Sequence, residues 1–252
     1  MSKVMFFNLP GASGHINPTV GVVAELIAKG EEVIYYAGED SREKFTKLGT
    51  EFRTYDKWFQ YHHNAEIGSD LITLAVAEIN MMDACIYDLI EIAREEKIDY
   101  IIYDACCIWG KYIAASLGIP GINFLTTIVS SPWIPFADFK MGLHVAKTLV
   151  GAPKIIPWAI PLILNILKKI NVPFQGVFYH MFDLFASVGD LNIVFNTKEY
   201  QPFADKLQGK FEYVGASVPE RRDEISSEFA NIGKKKLVYV SLGTLHNNSV
   251  IF

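Results

Sequence analysis

The sequence predicts an α/β protein built on a doubly wound parallel sheet. Three observations carry this. Short apolar runs bounded by turn formers alternate with segments whose apolar residues recur at helical spacing. The first run passes through a glycine-bearing loop straight into a helical pattern, which is how a βαβ unit opens. The chain has 252 residues, 50% of them hydrophobic and 20% charged, enough to bury a sizeable core in one large domain or in one domain and part of another.

Val4 to Phe7 is the first strand. The loop Asn8 to Pro18 follows, in which Gly11 and Gly14 permit a tight turn and close approach of a ligand. Pro18 to Ala28 reads as a helix, with Asn17 as its cap and Pro18 at its first position. Val33 to Ala37 is the second strand. Ser41 is placed to cap a helix over 42–48, and Phe52 to Tyr55 is a short third strand. Trp58 to Ser69 is aromatic, carries His62 and His63, and has no clean period, so it reads as a long loop. Asp70 to Glu96 is helical by pattern, and Asp99 to Tyr103 is a fourth strand ending at Asp104. Trp109 to Leu117 is a helix closed by Gly118, and Gly121 to Leu125 a fifth strand.

Ser130 to Tyr179 breaks the rhythm with six prolines, Pro132, Pro135, Pro153, Pro157, Pro161 and Pro173. It reads as short helices packed over the sheet that also wall a binding cleft. Its prolines keep it short of a membrane span, and Lys168 and Lys169 offer only a small basic edge for a membrane surface. Strand character returns at Leu191 to Phe195 and Phe211 to Val214. A charged linker from Pro219 leads to Lys236 to Ser241, which has the pattern of a further strand.

The net charge of -5 and the lack of a basic cluster with interleaved aromatics exclude a nucleic-acid partner. Cys85, Cys106 and Cys107 have no metal-ligand spacing and read as reduced thiols. The chain enters a strand almost at once, so no signal peptide is expected and the expected location is the cytoplasm.

Ligands of open parallel sheets bind beyond the carboxyl ends of the strands, where strand order reverses. In a sheet of order 3-2-1-4-5, that point lies between strands 1 and 4. His15 follows strand 1 and Asp104 ends strand 4, so topology brings them to one crevice. An Asp that accepts a hydrogen bond from one imidazole nitrogen leaves the other as a general base. Alone, His15 reads as a loop residue that only caps or hydrogen-bonds, and Asp104 as a cap for the segment after it. The capping and catalytic roles of Asp104 are compatible.

Other chemistries fit less well. Gly11-Ala12-Ser13-Gly14 is not G-x-G-x-x-G, and Tyr36, Ala37 and Gly38 stand where a ribose-binding acid would close strand 2. Ser13 is not in a nucleophile elbow. His62 and His63 lack a third metal ligand at usable spacing.

The run Phe6 to Pro18, with its G-x-x-G-H-I-N-P core, resembles the N-terminus of family 1 glycosyltransferases, and of these the bacterial macrolide-type UDP-glycosyltransferases most nearly. Tyr103-Asp104, the Tyr213-Val214-Gly215 junction and Val240 to Thr244 fit the same family. The resemblance implies the two-domain GT-B fold. Residues 1–218 would be its Rossmann-like N-terminal acceptor domain, 219–234 the linker, and 235–252 the truncated start of the nucleotide-sugar donor domain.

It also implies metal-independent, inverting transfer of a hexose from a UDP-sugar to a hydroxyl of a small hydrophobic acceptor such as a macrolide or flavonoid. No cofactor is implied, only the nucleotide sugar as co-substrate. His15 would take the acceptor proton, and Asp104 would orient it and balance its charge. Ser13, Ile16, Trp58, Phe59, Tyr61, Ile67 and Trp109 are expected on the acceptor side. Gly14, Ser241 and Thr244 are expected toward the donor. The family's His- and Gly-rich nucleotide-sugar motif is not in this chain, so an incomplete enzyme is expected. The alternative is a non-catalytic small-molecule-binding remnant of a truncated glycosyltransferase.

Overall fold

The computed structural model describes residues 1–58, 71–129, 156–176 and 187–217, with isolated positions 140, 142–143, 153, 180 and 238. A seven-stranded sheet organises them: β1 (Lys3–Phe7), β2 (Glu32–Tyr36), β3 (Glu51–Arg53), β4 (Tyr100–Asp104), β5 (Gly121–Leu125), β6 (Leu191–Val194) and β7 (Phe211–Tyr213). Their spatial order is β3-β2-β1-β4-β5-β6-β7, and every neighbouring pair is parallel. The expected 3-2-1-4-5 core is present, extended by two strands on the β5 side.

Parallel strands covered on both faces are apolar on both, and β1 shows this residue by residue. Val4 and Phe6 face one core layer with Val33, Tyr35, Ile102 and Phe124. Met5 and Phe7 face the other with Ile34, Tyr36, Ile101 and Tyr103. The first layer lies under α2 (Thr19–Ala28) and α3 (Arg42–Thr46), which contribute Val23 and Phe45. The second lies under α4 (Leu71–Glu95), α5 (Trp109–Leu117) and α6 (Ile156–Lys169). Helices before β3 cover one face and those after it the other, so the winding reverses between β1 and β4.

Helix α5 comes close to β4 because residue 110 is glycine. A β-carbon on Gly110 would fall 2.4 Å from the Tyr103 β-carbon, inside any tolerable contact. Gly118 closes the helix at φ 67°, the left-handed conformation that glycine enters without penalty.

Several boundaries differ from the sequence reading. Helix begins earlier than Pro18, as a single turn α1 (Ser13–Ile16), and α2 starts afresh at Thr19. Pro18 lacks the N–H that would carry one helix into the next. Asn17 does not cap: its side-chain oxygen accepts from Lys44 Nζ at 2.9 Å. Ser41 makes no side-chain cap bond to α3. The third strand is Glu51–Arg53, not 52–55. In the proline-rich segment, α6 is a 14-residue helix that tolerates Pro161. Ala159, Ile163, Ile166 and Leu167 anchor it in the core beside α4. Among the described residues, no helix is long and apolar enough to cross a membrane. The expected linker at 219–234 lies outside the described residues. So does the expected strand at 236–241, except Val238, which is 81% exposed.

Candidate active site

The loop after β1 is held by a buried chain of hydrogen bonds. Asn8, with no exposed surface, donates through Nδ2 to the Tyr35 hydroxyl at 2.8 Å and to the His15 carbonyl at 3.3 Å. An amide nitrogen only donates, so the tyrosine must pass its own proton on. It donates to Thr19 Oγ1 at 2.8 Å, and Thr19 donates to the Ile16 carbonyl at 2.8 Å. Burial pushes the Tyr35 phenol far above its usual range, so it stays a donor. Gly11 turns the loop at φ 69°, in the left-handed region. These contacts fix α1, and α1 carries His15.

At the end of β4, the Asp104 side chain has no exposed surface and uses both oxygens. Oδ1 accepts the Cys106 amide at 2.8 Å, which shapes the turn into α5. Oδ2 lies 2.7 Å from His15 Nδ1. Asp104 is thus paired with His15, but it does not cap α5: the N-cap of that helix is Ile108, where no side chain makes a cap bond, and the Oδ1 contact belongs to the turn before it. A carboxylate accepts, so Nδ1 carries the hydrogen and Nε2 is left with a free lone pair. The imidazole is 23% exposed. Asp104's charge pushes the His15 pKa above its usual value of 6.5, with burial opposing and the hydrogen bond assisting. The Thr126 hydroxyl, just past β5, is 3.4 Å from the same nitrogen, too long to compete with Asp104.

Two residues in this site were not expected there: Glu78, and Cys106, which the sequence presents only as a reduced thiol without metal-ligand spacing. Glu78 of α4 is 1% exposed, and neither of its carboxyl oxygens has a conventional hydrogen-bond partner. Burial first, then Asp104's charge, raise its pKa well above the carboxylate range. The Cys106 thiol sits between the Asp104 and Glu78 carboxyls, and burial among them raises its pKa too. The signal for Glu78 was present: it falls four residues after Leu74 and one before Ile79, on the apolar stripe of α4, where a carboxylate has no ordinary reason to be. Cys106 had no local signal, because its partners come from a different strand and helix.

The remaining expected residues divide. Ser13 is half-buried and Gly14 exposed, both on the turn of α1 that carries His15. Gly14 is helical, and a β-carbon there would meet nothing within 4 Å, so the turn does not need its flexibility. Ile16 is 2% exposed and packs beneath the loop among Val4, Phe6 and Phe124. It braces α1 and is closed to an acceptor. Trp109 is likewise a core residue, with no exposed surface and its ring edge-on to Tyr55 at 5.6 Å. Trp58 lies partly buried against the core, its indole nitrogen donating to Asp88 at 2.9 Å. Phe59, Tyr61, Ile67, His62, His63, Ser241 and Thr244 lie outside the described residues. A separate groove lined by Lys111, Pro120, Asp190 and Gly209 opens at the amino ends of β5 to β7, the edge opposite His15.

No family model matches the chain. It is 30% identical over 256 residues to an uncharacterised UDP-glucosyltransferase, YojK, of Bacillus subtilis, a match covering 100% of this chain and 61% of that protein. It is 26% identical over 260 residues to the demethyllactenocin mycarosyltransferase of Streptomyces fradiae, covering 98% of this chain and 54% of the relative. The chain thus spans between half and two thirds of the length of these relatives. Among solved structures, the glycosyltransferase of kitacinnamycin superposes with a TM-score of 0.66 at 20% identity, over 88% of this chain and 53% of that one. That last likeness is one of fold.

Proposed function

We propose that this chain, a homologue of the UDP- and NDP-glycosyltransferases with the fold of the GT-B enzymes, is the acceptor-binding half of such an enzyme, with His15 as its catalytic base. The observation that carries this reading is the 2.7 Å contact from His15 Nδ1 to the buried Asp104 carboxylate, at the carboxyl edge where the winding reverses. His15 Nε2 takes the proton of an acceptor hydroxyl as that oxygen attacks the anomeric carbon of the sugar. Asp104 holds the imidazole in the competent tautomer and offsets the imidazolium charge. The bond to the nucleotide diphosphate breaks as the glycosidic bond forms. A single displacement from the face opposite the leaving group inverts the anomeric centre. Transfer is metal-independent on this reading, as the family resemblance implies; His15 and Asp104 serve the acceptor proton, and the charge of the departing diphosphate falls to the donor-binding region.

The acceptor is a small hydrophobic molecule bearing a hydroxyl, such as a macrolide or flavonoid. This rests on relatives named for mycarosyl transfer to demethyllactenocin and for oleandomycin glycosylation. The donor is a UDP-hexose, in keeping with the relatives named for UDP-glucosyl transfer. The protein acts in the cytoplasm, where nucleotide sugars and reduced thiols are found together.

The test is to incubate the chain with UDP-glucose and a panel of macrolide and flavonoid acceptors. Acceptor binding is followed by tryptophan fluorescence and transfer by mass spectrometry. Binding and transfer, alone or with a separately expressed donor-binding region of a relative, support the proposal. Binding without transfer under both conditions favours the remnant reading, and absence of both overturns the function.

A further inference from the structure

The dyad is also a donor set. His15 Nδ1, an Asp104 carboxylate oxygen and the Cys106 sulfur all lie within 4.8 Å of one another. Nitrogen, oxygen and sulfur ligands together suit zinc, which takes distances of about 2.0–2.3 Å in a tetrahedron. At 2.7 Å, the His15 and Asp104 atoms would need to part by roughly 0.6 Å to sit at tetrahedral spacing around such an ion, while the sulfur closes in. Side-chain rotation supplies that. A second, independent observation points inward: Glu78 presents a buried carboxyl, without a conventional partner, to the Cys106 thiol.

We propose that His15, Asp104 and Cys106 form an inhibitory binding site for a thiophilic divalent cation of the zinc class, with Glu78 hydrogen-bonded to the ligating sulfur. The charges close: one carboxylate and one thiolate neutralise a dication, and Glu78, donating its carboxyl proton to the thiolate, adds no charge, an arrangement a buried site tolerates where a lone charge would be costly. The Cys106 thiol loses its proton to solvent as the sulfur–metal bond forms. The metal takes the Nδ1 lone pair, so the single proton of the neutral imidazole moves through solvent from Nδ1 to Nε2. Nε2 then donates and no longer accepts. A base prepared by Asp104 is switched off without any change of backbone. The binding chemistry does not depend on the transferase reading; only the word inhibitory rests on it.

Cobalt(II) is the probe, because a thiolate ligand gives it a near-ultraviolet charge-transfer band. The 252-residue chain, reduced and metal-free, should bind one equivalent, with that band and the intense visible bands of a tetrahedral ion, and zinc should displace it. Cys106→Ser should abolish the charge-transfer band, while Cys85→Ser and Cys107→Ser should keep it. Glu78→Gln should keep the band but weaken binding about tenfold, the lower end of what loss of an outer contact to a ligand costs. In the unsubstituted chain, long-range proton–nitrogen correlation should show zinc moving the His15 proton from Nδ1 to Nε2. That readout needs no variant to fold. Absence of the charge-transfer band, its persistence in folded Cys106→Ser, or metal attached to Nε2 would each overturn the site. Failure of zinc to suppress transfer, with binding intact, would count against the inhibitory role alone.

Discussion

Asp104 Oδ2 lies 2.7 Å from His15 Nδ1, although 89 positions separate the two residues in the chain. The contact exists because β1 and β4 are neighbours in register, Phe7 opposite Tyr103, so that the loop after one strand meets the last residue of the other. Its electrostatic consequence is a His15 pKa above 6.5. Histidine titration by NMR should show this in the present chain. Asp104→Asn removes the largest cause and should bring the value down. A His15 that titrates below 6.5 in the unsubstituted chain would mean the pair does not form in solution.

The same shift links to stability. A group whose folded pKa is raised stabilises the fold fully below its unfolded pKa, and the contribution fades as pH rises through the folded value. The His15–Asp104 pair should therefore contribute most below about pH 6.5 and progressively less above it. Urea midpoints measured from pH 5.5 to 8.5 should fall more steeply for the unsubstituted chain than for His15→Gln. Parallel profiles would show that the pair carries no linkage.

The loop depends on Asn8. Asn8→Ala leaves the His15 carbonyl and Tyr35 hydroxyl without their donor in a largely buried site, which should cost about 1–3 kcal/mol. Tyr35→Phe keeps the ring stacked on Phe45 at 3.8 Å and leaves Asn8 its bond to the His15 carbonyl and Thr19 its bond to the Ile16 carbonyl, so it should cost less, about 0.5–1.5 kcal/mol for the hydrogen bonds lost. Denaturant unfolding checks both. A loss under about 0.5 kcal/mol for both, the scale of ordinary surface substitutions, would mean that water or an alternative partner replaces the network.

Helix α5 should be sensitive to a single added methyl group. Gly110→Ala places a β-carbon against Tyr103 and the Phe7 ring. Overpacking of this kind costs typically about 1–3 kcal/mol, and more when, as here, one of the clashing atoms is a β-carbon fixed to backbone. Thermal unfolding of Gly110→Ala beside Gly14→Ala makes the comparison, since a β-carbon at Gly14 meets nothing. Equal melting temperatures would contradict the packing.

Much of this was legible from the residues. Strands buried on both faces announce themselves as continuous apolar runs, so β1, β4 and β5 were placed within a residue of their observed ends. Topology then brought His15 to Asp104 without any side-chain information. What was not legible was tertiary. Trp109 and Ile16 look like ligand contacts in a linear reading, because large apolar residues near a functional loop can face either way. Here the core takes both. Asn17 and Ser41 have good capping chemistry, but Asn17 pairs with Lys44 instead and Ser41 makes no such bond. Asn8, Tyr35 and Thr19 gave no hint of one another, since their hydrogen bonds join a strand end, a neighbouring strand and the start of a helix.

The central claim is that His15 acts as the base, and the most direct measurement is the rate of sugar transfer by His15→Ala, assayed wherever the unsubstituted chain supports transfer with its donor-binding region supplied. Loss of a positioned general base lowers kcat by about 10²–10⁴-fold. The predicted result is a loss in that range, with acceptor affinity changed by less than about twofold, since Nε2 is needed for the proton rather than for docking. A His15→Ala protein that turns over within about threefold of the parent, far short of what a general base contributes, would contradict the account.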